Sequence, residues 1–285
     1  MRSRPCRRWI TALALAGAAV AVPAAADDWG YEEGIAHAPS GGAELYREQH
    51  WIRRRDGVAL ERVTLYRCPD GDAFARKQVD YRASHTAPDF LLEDRRGGYR
   101  EGLRRAAGAT VVFVRPRAGA PESTRRLDAG DAAGLVADAG FDEFVRAHWS
   151  ALAAGRRVAL RFAVPSRLRS LPFSLQRTAT ARVAGEPAWV LRLQVDGMLG
   201  WIAPRIDVSY GQHSRRLLRF EGLTNLRDDA GEAQLRARLD FPTPARAVDA
   251  ASARQAAQQP LAVCRTGQRA DRADAADTAV DFASR

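Results

Sequence analysis

Alternation of apolar and polar residues is the feature that most constrains the fold of this chain. In the segments VALRFAV, WVLRLQVD and QLRARLDF, apolar side chains recur at every second position, starting at Trp189 in the second of them. A period of two residues is typical of a strand with one buried face, because successive side chains point to opposite sides of a sheet. The alternation therefore predicts half-buried strands at residues 158–164, 189–196 and 234–241.

Further strand candidates precede these segments at short and regular spacing. They cover residues 44–52, 57–67, 73–83, 89–95 and 109–115, and turn signals such as RRDG, PDG and GG separate them. Consecutive strands joined by tight turns favour antiparallel pairing, and a large sheet curls because its strands twist. The predicted fold class is mainly β (α+β): a curved antiparallel sheet or open half-barrel of about 9–11 strands.

One segment has helical rather than strand periodicity. GFDEFVRAHWSALAAG places its large apolar residues on one stripe and predicts one main helix at about residues 141–154. Asp142 and Glu143 stand in the first turn, where the helix dipole favours acidic groups, and Gly155 is suited to end the helix. His148 lies on the apolar stripe, so we expect a packed histidine there rather than a metal ligand.

The N-terminus has the features of a secretory signal peptide. A basic start with Arg7 and Arg8 precedes the apolar run WITALALAGAAVAV and a stretch of small residues that ends at Ala26. This order predicts cleavage after Ala26 and a periplasmic location. The apolar run is short for a membrane span, which needs about 20 residues, and an uncleaved anchor is the alternative.

The remaining chain contains no linker that would divide it, so we expect a single domain with irregular ends. Large apolar residues are scarce in its last part, RADRADAADTAVDFASR, which predicts a mobile tail. The predicted division is a signal peptide at 1–26, a flexible N-terminal segment at 27–43, a single antiparallel β half-barrel domain with its helix at 44–245, and a mostly disordered tail at 246–285 with Cys264 tethered.

Cys68 and Cys264 are the two cysteines that follow the predicted cleavage point. An even pair in an oxidising compartment predicts a disulfide, and two free thiols are the alternative. Removal of residues 1–26 lowers the net charge from +10 to +6, because four arginines and no acidic residue lie there. A positive surface would attract anionic lipid headgroups and so allow contact with a membrane surface, although it can also be a solvated surface without a partner. No nucleic-acid partner is expected of a secreted chain.

Catalytic chemistry has weak candidates. Asp207, Ser209 and His213 lie close together in IDVSYGQHSRRLLRF, but the apolar residues alternate with them, which predicts a β-hairpin with its polar residues on the solvent face and in the turn. No G-x-S-x-G motif is present, and Cys68 as a nucleophile would need a nearby base. Metal-ligand spacings and phosphate-binding loops are also absent from the sequence. We therefore predict no catalytic residue, no metal site and no cofactor.

Apolar segments at two strand junctions are the strongest candidates for a site. LRSLPF and MLGWIAP lie where a connection through solvent should be polar. These segments, with a tryptophan of a neighbouring strand, predict ligand binding at Leu171, Phe173, Trp189, Met198, Leu199, Trp201 and Ile202. In the alternative interpretation the same side chains plug the end of the sheet and complete the core.

The combination of a signal peptide, hairpin-connected strands and a helix at 141–154 resembles the periplasmic lipoprotein-carrier fold of the LolA/LppX/RseB type, over about residues 44–241. That resemblance implies an open half-barrel with a helix in its mouth. The segments GFDEFVRAHWSALAAGRRVALRFAVPSR and RRLLRFEGLTNLRDDAGE are also similar to secreted bacterial proteins of no known activity. The sequence thus favours a soluble periplasmic carrier or sensor for an apolar or lipid-like ligand. The alternatives are an envelope protein-interaction module and a hydrolase that uses Ser209 and His213 or Cys68.

Overall fold

The computed structural model describes residues 27–197 and 205–267. Within these ranges the chain forms sixteen strands, four α-helices and one 3-10 helix at Pro165–Arg167. The strands are β1 Asp28–His37, β2 Glu44–Arg55, β3 Val58–Arg67, β4 Ala73–Asp80, β5 Asp89–Asp94, β6 Tyr99–Ala106, β7 Ala109–Arg115, β8 Ser123–Arg126, β9 Leu135–Val136, β10 Val158–Val164, β11 Arg169–Val183, β12 Glu186–Val195, β13 Ile206–Gly211, β14 Leu217–Arg227, β15 Gln234–Asp240 and β16 Arg246–Val248. The helices are α1 Ala129–Ala132, α2 Gly140–Ala147, α3 Trp149–Ala153 and α4 Ala250–Gln258.

All of these strands belong to one sheet, in which most neighbours in space are also neighbours in sequence. The spatial order is β8-β7-β6-β5-β4-β3-β2-β1-β15-β14-β13-β12-β11-β10-β9, and β16 pairs with β1. The pairs are antiparallel except for the short parallel pair of β9 and β10. In the described part of the chain β8 and β9 end the sheet without pairing to each other, so the sheet stays open. The predicted curved antiparallel half-barrel is therefore confirmed.

The position of α2 demonstrates the curvature. Asp142 of α2 contacts both Arg62 on β3 and Tyr210 on β13, although four strands lie between β3 and β13 in the sheet. In a flat sheet, strands spaced by about 4.8 Å would hold these two side chains more than 20 Å apart. One carboxylate can reach both only if the sheet curves around the helix, so α2 lies on the concave face.

The convex face carries the other main helix. Ala253 and Ala256 of α4 pack against Trp51, Val63 and Leu65. Trp51 and Ile52 are consecutive on β2 and therefore face opposite sides of the sheet, and Ile52 belongs to a cluster of the concave face. No helix in residues 27–197 or 205–267 combines the length and the apolar character that a membrane crossing requires.

The helical region differs in detail from the prediction. The expected single helix at 141–154 is two helices, α2 and α3, which meet at His148. The His148 ring stacks on Phe144 at 4.1 Å between centroids, and its Nδ1 donates to the Phe144 carbonyl oxygen at 2.9 Å. The helices part at His148 because its backbone, with φ of −103° and ψ of 14°, departs from helical values. His148 is half-buried and packed.

The ends of the domain are more ordered than the sequence indicates. The segment predicted as flexible at 27–43 contains β1, and the first part of the segment predicted as mostly disordered at 246–285 contains β16 and α4. Gly34 of β1 is needed because an added Cβ would lie 2.7 Å from the Phe241 ring. Gly34 thus permits close packing of β1 against Phe241. β1 and β16 at these two ends, the short strands β8 and β9, which are too brief to show a period, and β6 and β11, which were not among the strand candidates, account for the larger number of strands.

A disulfide between Cys68 and Cys264 fixes the C-terminal segment to the sheet, as the sequence predicts. The two Cα atoms lie 6.4 Å apart and the residues are separated by 196 positions. Nearby, the Ala262 amide donates to the Ala73 carbonyl oxygen at 2.8 Å, and Arg67 Nη2 donates to Gln259 Oε1 at 2.7 Å. The chain after α4 is therefore a strap that lies along the ends of β3 and β4.

Candidate binding site

The predicted ligand-binding residues divide into two groups. Met198, Leu199, Trp201 and Ile202 lie outside the described residues and stay predictions. Leu171, Phe173 and Trp189 are described and half-buried. Phe173 and Trp189 pack against the cluster that α2 and α3 form on the concave face, and Leu171 shares that face because it stands two residues before Phe173 on β11.

Three phenylalanine rings form a half-buried surface on this face. Phe141 of α2 lies 6.4 Å from Phe162 of β10, and Phe162 lies 5.9 Å from Phe173 of β11. Leu171 is directly opposite Phe162 in the pairing of β10 with β11. We call Phe141, Phe162 and Phe173 the inner aromatic cluster. Rings at these distances attract each other edge to face, so the cluster is stable while part of its surface stays accessible.

Trp189 does not join this cluster. Its indole stacks on Trp149 of α3 at 4.7 Å between centroids, and the guanidinium of Arg177 lies 5.4 Å from its ring centroid. Phe173 is opposite Val195, six residues along β12 from Trp189, which corresponds to about 20 Å along an extended strand. The concave face therefore has two separate aromatic surfaces, one beside the start of α2 and one beside the start of α3.

Buried charges hold α2 between the two halves of the sheet. Asp142 Oδ2 lies 3.1 Å from Arg62 Nη2, and the Tyr210 hydroxyl donates to Asp142 Oδ1 at 2.6 Å. Burial favours the neutral carboxyl, but the positive charges of Arg62 and Arg146 outweigh it, and the pKa of Asp142 is lowered. Asp142 is thus ionised and fixes the position of α2. The position of α2 in turn places Phe141 in the inner aromatic cluster.

The middle of the concave face is polar, which was not expected from the sequence. Lys77 Nζ lies 2.8 Å from Asp138 Oδ1, and Asn225 Nδ2 donates to the same oxygen at 2.8 Å. Asp138 Oδ2 is buried and has no hydrogen-bond partner among the described residues. One sequence signal was available: Lys77 is the only lysine beside 43 arginines.

Glu101 is a buried acid in the same polar region. The Tyr99 hydroxyl donates to Glu101 Oε2 at 2.6 Å. Burial is the main cause that raises the pKa of Glu101 to about 7, and the negative charge of Asp138 adds to it, whereas the Tyr99 hydrogen bond and the charges of Arg227 and Lys77 act in the opposite direction. The carboxyl of Glu101 therefore changes its charge near neutral pH.

We expect Glu101→Gln to change how stability depends on pH. The ordinary pKa of 4.5 applies to the unfolded chain and about 7 to the folded one, so the folded state binds the extra proton between these values. The stabilising contribution of protonated Glu101 is complete below pH 4.5 and is lost as pH rises through 7. Relative to wild type, Glu101→Gln should gain about 3 kcal/mol in free energy of unfolding between pH 4.5 and 8.

Urea unfolding at a series of pH values measures this gain. Glu221→Gln is a matched control, because it removes an exposed carboxylate of β14 and should reproduce the wild-type profile. Parallel pH profiles of wild type and Glu101→Gln would show that Glu101 does not titrate in this range.

The hydrolase candidates do not assemble into a site. β13 and β14 pair as the predicted hairpin, and the carboxylate of Asp207 is held at 2.8 Å by both Nε and Nη2 of Arg192. His213 is exposed in the turn, and no hydrogen bond in the described part of the chain joins it to Ser209. The expectation that Ser209 lies on the solvent face was wrong, because only 4% of it is exposed. Its hydroxyl is therefore closed to substrate.

The candidate cysteine Cys68 is also not available for chemistry. Cys68, Asp70 and Cys264 bring ligand-type atoms within 4.8 Å of one another, but the two sulfurs are joined as a disulfide. A disulfide offers neither the thiolate that binds a metal nor the thiolate that attacks a substrate. Cys68 therefore has a structural function.

No protein-family model and no curated protein matches this chain. Solved structures similar to it include a β-barrel-like protein of the DUF1849 domain of unknown function from Brucella abortus, with 10% identity, a TM-score of 0.44, and coverage of 78% of this chain and 98% of that one. MucB in complex with MucA(peri) is 14% identical, with a TM-score of 0.27 and coverage of 86% and 58%. A proposed outer membrane lipoprotein-sorting domain from Vibrio parahaemolyticus is 11% identical, with a TM-score of 0.28 and coverage of 81% and 88%.

These neighbours include the kinds of protein that the sequence resemblance implied, since MucB is of the RseB type and another is a lipoprotein-sorting domain. The chain spans about half the length of MucB. Because identities are 10–14% and TM-scores lie below 0.5, the fold class rests on the strand order of this chain itself. The site and its function rest on the contacts described above.

Proposed function

We propose that this protein is a periplasmic carrier or sensor that binds an apolar or amphiphilic ligand on its concave face, at the inner aromatic cluster. The observation that carries the proposal is the half-burial of Phe141, Phe162 and Phe173 on three different elements. Rings that only completed the core would be covered, as Phe144 is with 6% of its surface exposed. Leu171 extends the same apolar surface along β11, where an acyl chain or ring system would lie.

The alternative of a protein-interaction module has one observation in its favour. The pairing of β10 with β11 starts at Val158, which lies opposite Leu175. The part of β11 after Leu175 therefore has one edge without a partner strand among the described residues. This edge is broken by a bulge between Arg177 and Ala179 and carries exposed Arg182. Bulges and charged residues are features that protect edges from pairing, so the aromatic surface is the better-supported site.

We expect Phe162→Ala and Phe173→Ala each to weaken binding of cis-parinaric acid, a fluorescent fatty acid, at least about tenfold. Removal of a ring that contacts ligand loses more than about 1.4 kcal/mol, which corresponds to tenfold in affinity. Fluorescence titration of the purified protein measures the loss, and extraction of the wild-type protein with organic solvent identifies a ligand that co-purifies.

Trp29→Ala is the matched control, because Trp29 is also half-buried but packs on the convex face beside α4. It should retain wild-type affinity. If the rings instead act as a plug, their truncation opens space, and binding stays unchanged or becomes tighter. That result, or equal losses in Trp29→Ala, would contradict the proposal.

A further inference from the structure

A recess of about 470 Å³ lies on the convex face, away from the proposed ligand site. Its floor is formed by β4 to β7 and its wall by the strap that follows α4, at Gln259, Pro260 and Leu261. Arg76 Nη1 donates to the Gln259 carbonyl oxygen at 3.0 Å, and the disulfide to Cys264 holds the end of the strap. The wall is therefore anchored at both ends, and the recess is a fixed feature of the fold.

The floor carries a row of charges across four neighbouring strands. Arg76 is opposite Glu93, Glu93 is opposite Arg100, and Arg100 is opposite Arg115. Arg95 also lines the recess, whereas Asp94 is bound by Arg96 at 2.6 Å. The recess therefore contains four arginines, and Glu93 is the carboxylate in the row that partly balances their charge.

Such a row is unfavourable without a bound anion. Two like charges directly opposite on adjacent strands destabilise a sheet, and Arg100 and Arg115 form such a pair. Glu93 is shared, with its oxygens 3.5 Å from Arg76 Nη2 and 3.3 Å from Arg100 Nε. One carboxylate therefore leaves most of the positive charge unbalanced, which is the condition under which an anionic ligand gains affinity.

One hydrogen-bond donor in the recess is also unused. The Nε group of Arg76 is buried and has no hydrogen-bond partner among the described residues, whereas Arg100 Nε faces Glu93 Oε1 at 3.3 Å. Arg115 differs, because its Nε donates to the Gly98 carbonyl oxygen at 3.1 Å, a contact that orients its guanidinium. Guanidinium groups bind phosphate oxygens through two parallel hydrogen bonds.

We propose that this recess binds a phosphate group carried by a small molecule or a lipid. Its volume is within the range of about 300–1,000 Å³ that is typical of small-molecule sites, so it has room for an organic group as well as the phosphate. A second recess of about 540 Å³ shares Arg100 and has Val63, Leu91 and Phe113 in its lining. The organic part of the ligand lies toward this second recess, beside half-buried Leu91, with the phosphate on the arginine row.

Titration of the purified protein with inorganic phosphate and glycerol 3-phosphate, and cosedimentation with phosphatidylglycerol vesicles, test the proposal. Ionic strength is held constant, because exposed charges are screened by salt. Arg100→Gln and Arg115→Gln should weaken binding at least about tenfold. Arg100→Lys keeps the charge but loses the planar fork, so it should give an intermediate loss, and unchanged circular dichroism shows that each variant folds.

Arg182→Gln is the matched control, since it removes an exposed arginine of β11 outside both recesses. It should bind within twofold of wild type. Arginine-dependent binding of glycerol 3-phosphate identifies a soluble phosphoester, and arginine-dependent binding of vesicles alone identifies a lipid headgroup. The absence of binding to every phosphate probe, or an equal loss in Arg182→Gln, would overturn the proposal.

Discussion

Replacing Cys68 and Cys264 with alanine should lower the free energy of unfolding by about 2–5 kcal/mol. The disulfide joins residues separated by 196 positions, and the chain-entropy model gives a loop of that length about 5 kcal/mol as an upper value, with about 2–4 kcal/mol typical of measured bridges. The loss arises mainly in the unfolded state, where the released chain gains conformations. Alanine is suitable at Cys68 because only 1% of that residue is exposed.

Urea unfolding of the double alanine variant measures this loss, and wild type in reductant provides a second route to it. Each single variant should be destabilised like the double variant, since either one removes the whole bridge. Hydrogen exchange should also show faster opening of the strap at residues 259–264 than of the paired strands. Unfolding midpoints that do not differ between oxidised wild type and the double variant would contradict this expectation.

Lys77→Met is expected to destabilise the protein by about 3–5 kcal/mol, because it leaves the Asp138 carboxylate buried without its cation. Asn225 would be the one remaining donor to Asp138 Oδ1 among the described residues, and Oδ2 already lacks a partner. An isolated buried charge is far less stable than the same charge in water. The effect should exceed that of Arg182→Gln, which removes an exposed positive charge.

A double-mutant cycle with Asp138→Asn separates the ion pair from packing. Asn is suited to position 138 because the backbone φ of Asp138 is 43°. This value lies in the left-handed region, which Asn tolerates. Lys77→Met combined with Asp138→Asn should recover most of the loss, since no unpaired charge is left. Lys77→Arg preserves the charge but overpacks the site, and we expect it to lose about 1–3 kcal/mol. Additive effects of the two single changes would argue against coupling between Lys77 and Asp138.

Local pattern was sufficient for much of the sheet. The alternation in VALRFAV, WVLRLQVD and QLRARLDF corresponds to β10, β12 and β15, because a strand's period depends only on its own backbone. The N-terminal strand β1 was missed for a related reason. Gly30 and Gly34 interrupt its apolar pattern, and the need for Gly34 comes from Phe241, which is more than 200 residues further along the chain.

The candidate site depended far less on local pattern. Phe173 was identified from its apolar segment, but Phe141 and Phe162 were assigned only to the buried faces of a helix and a strand. Which rings meet depends on how α2 enters the concave face, and that is decided by the contacts of Asp142 with Arg62 and Tyr210. No pattern within α2 carries that information.

The sequence by itself determined the class of the fold, the approximate positions of most strands and the pairing of Cys68 with Cys264, because each depends on a local period or on a residue type that has one available partner. Only the tertiary structure decided which faces are concave and convex, that Lys77 meets Asp138 across 61 positions, and that Arg76, Arg100 and Arg115 share one recess. The physical reason is that these contacts depend on sheet curvature and strand register. Both are set by the simultaneous packing of distant segments, and the periodicity of any one segment is compatible with many such arrangements.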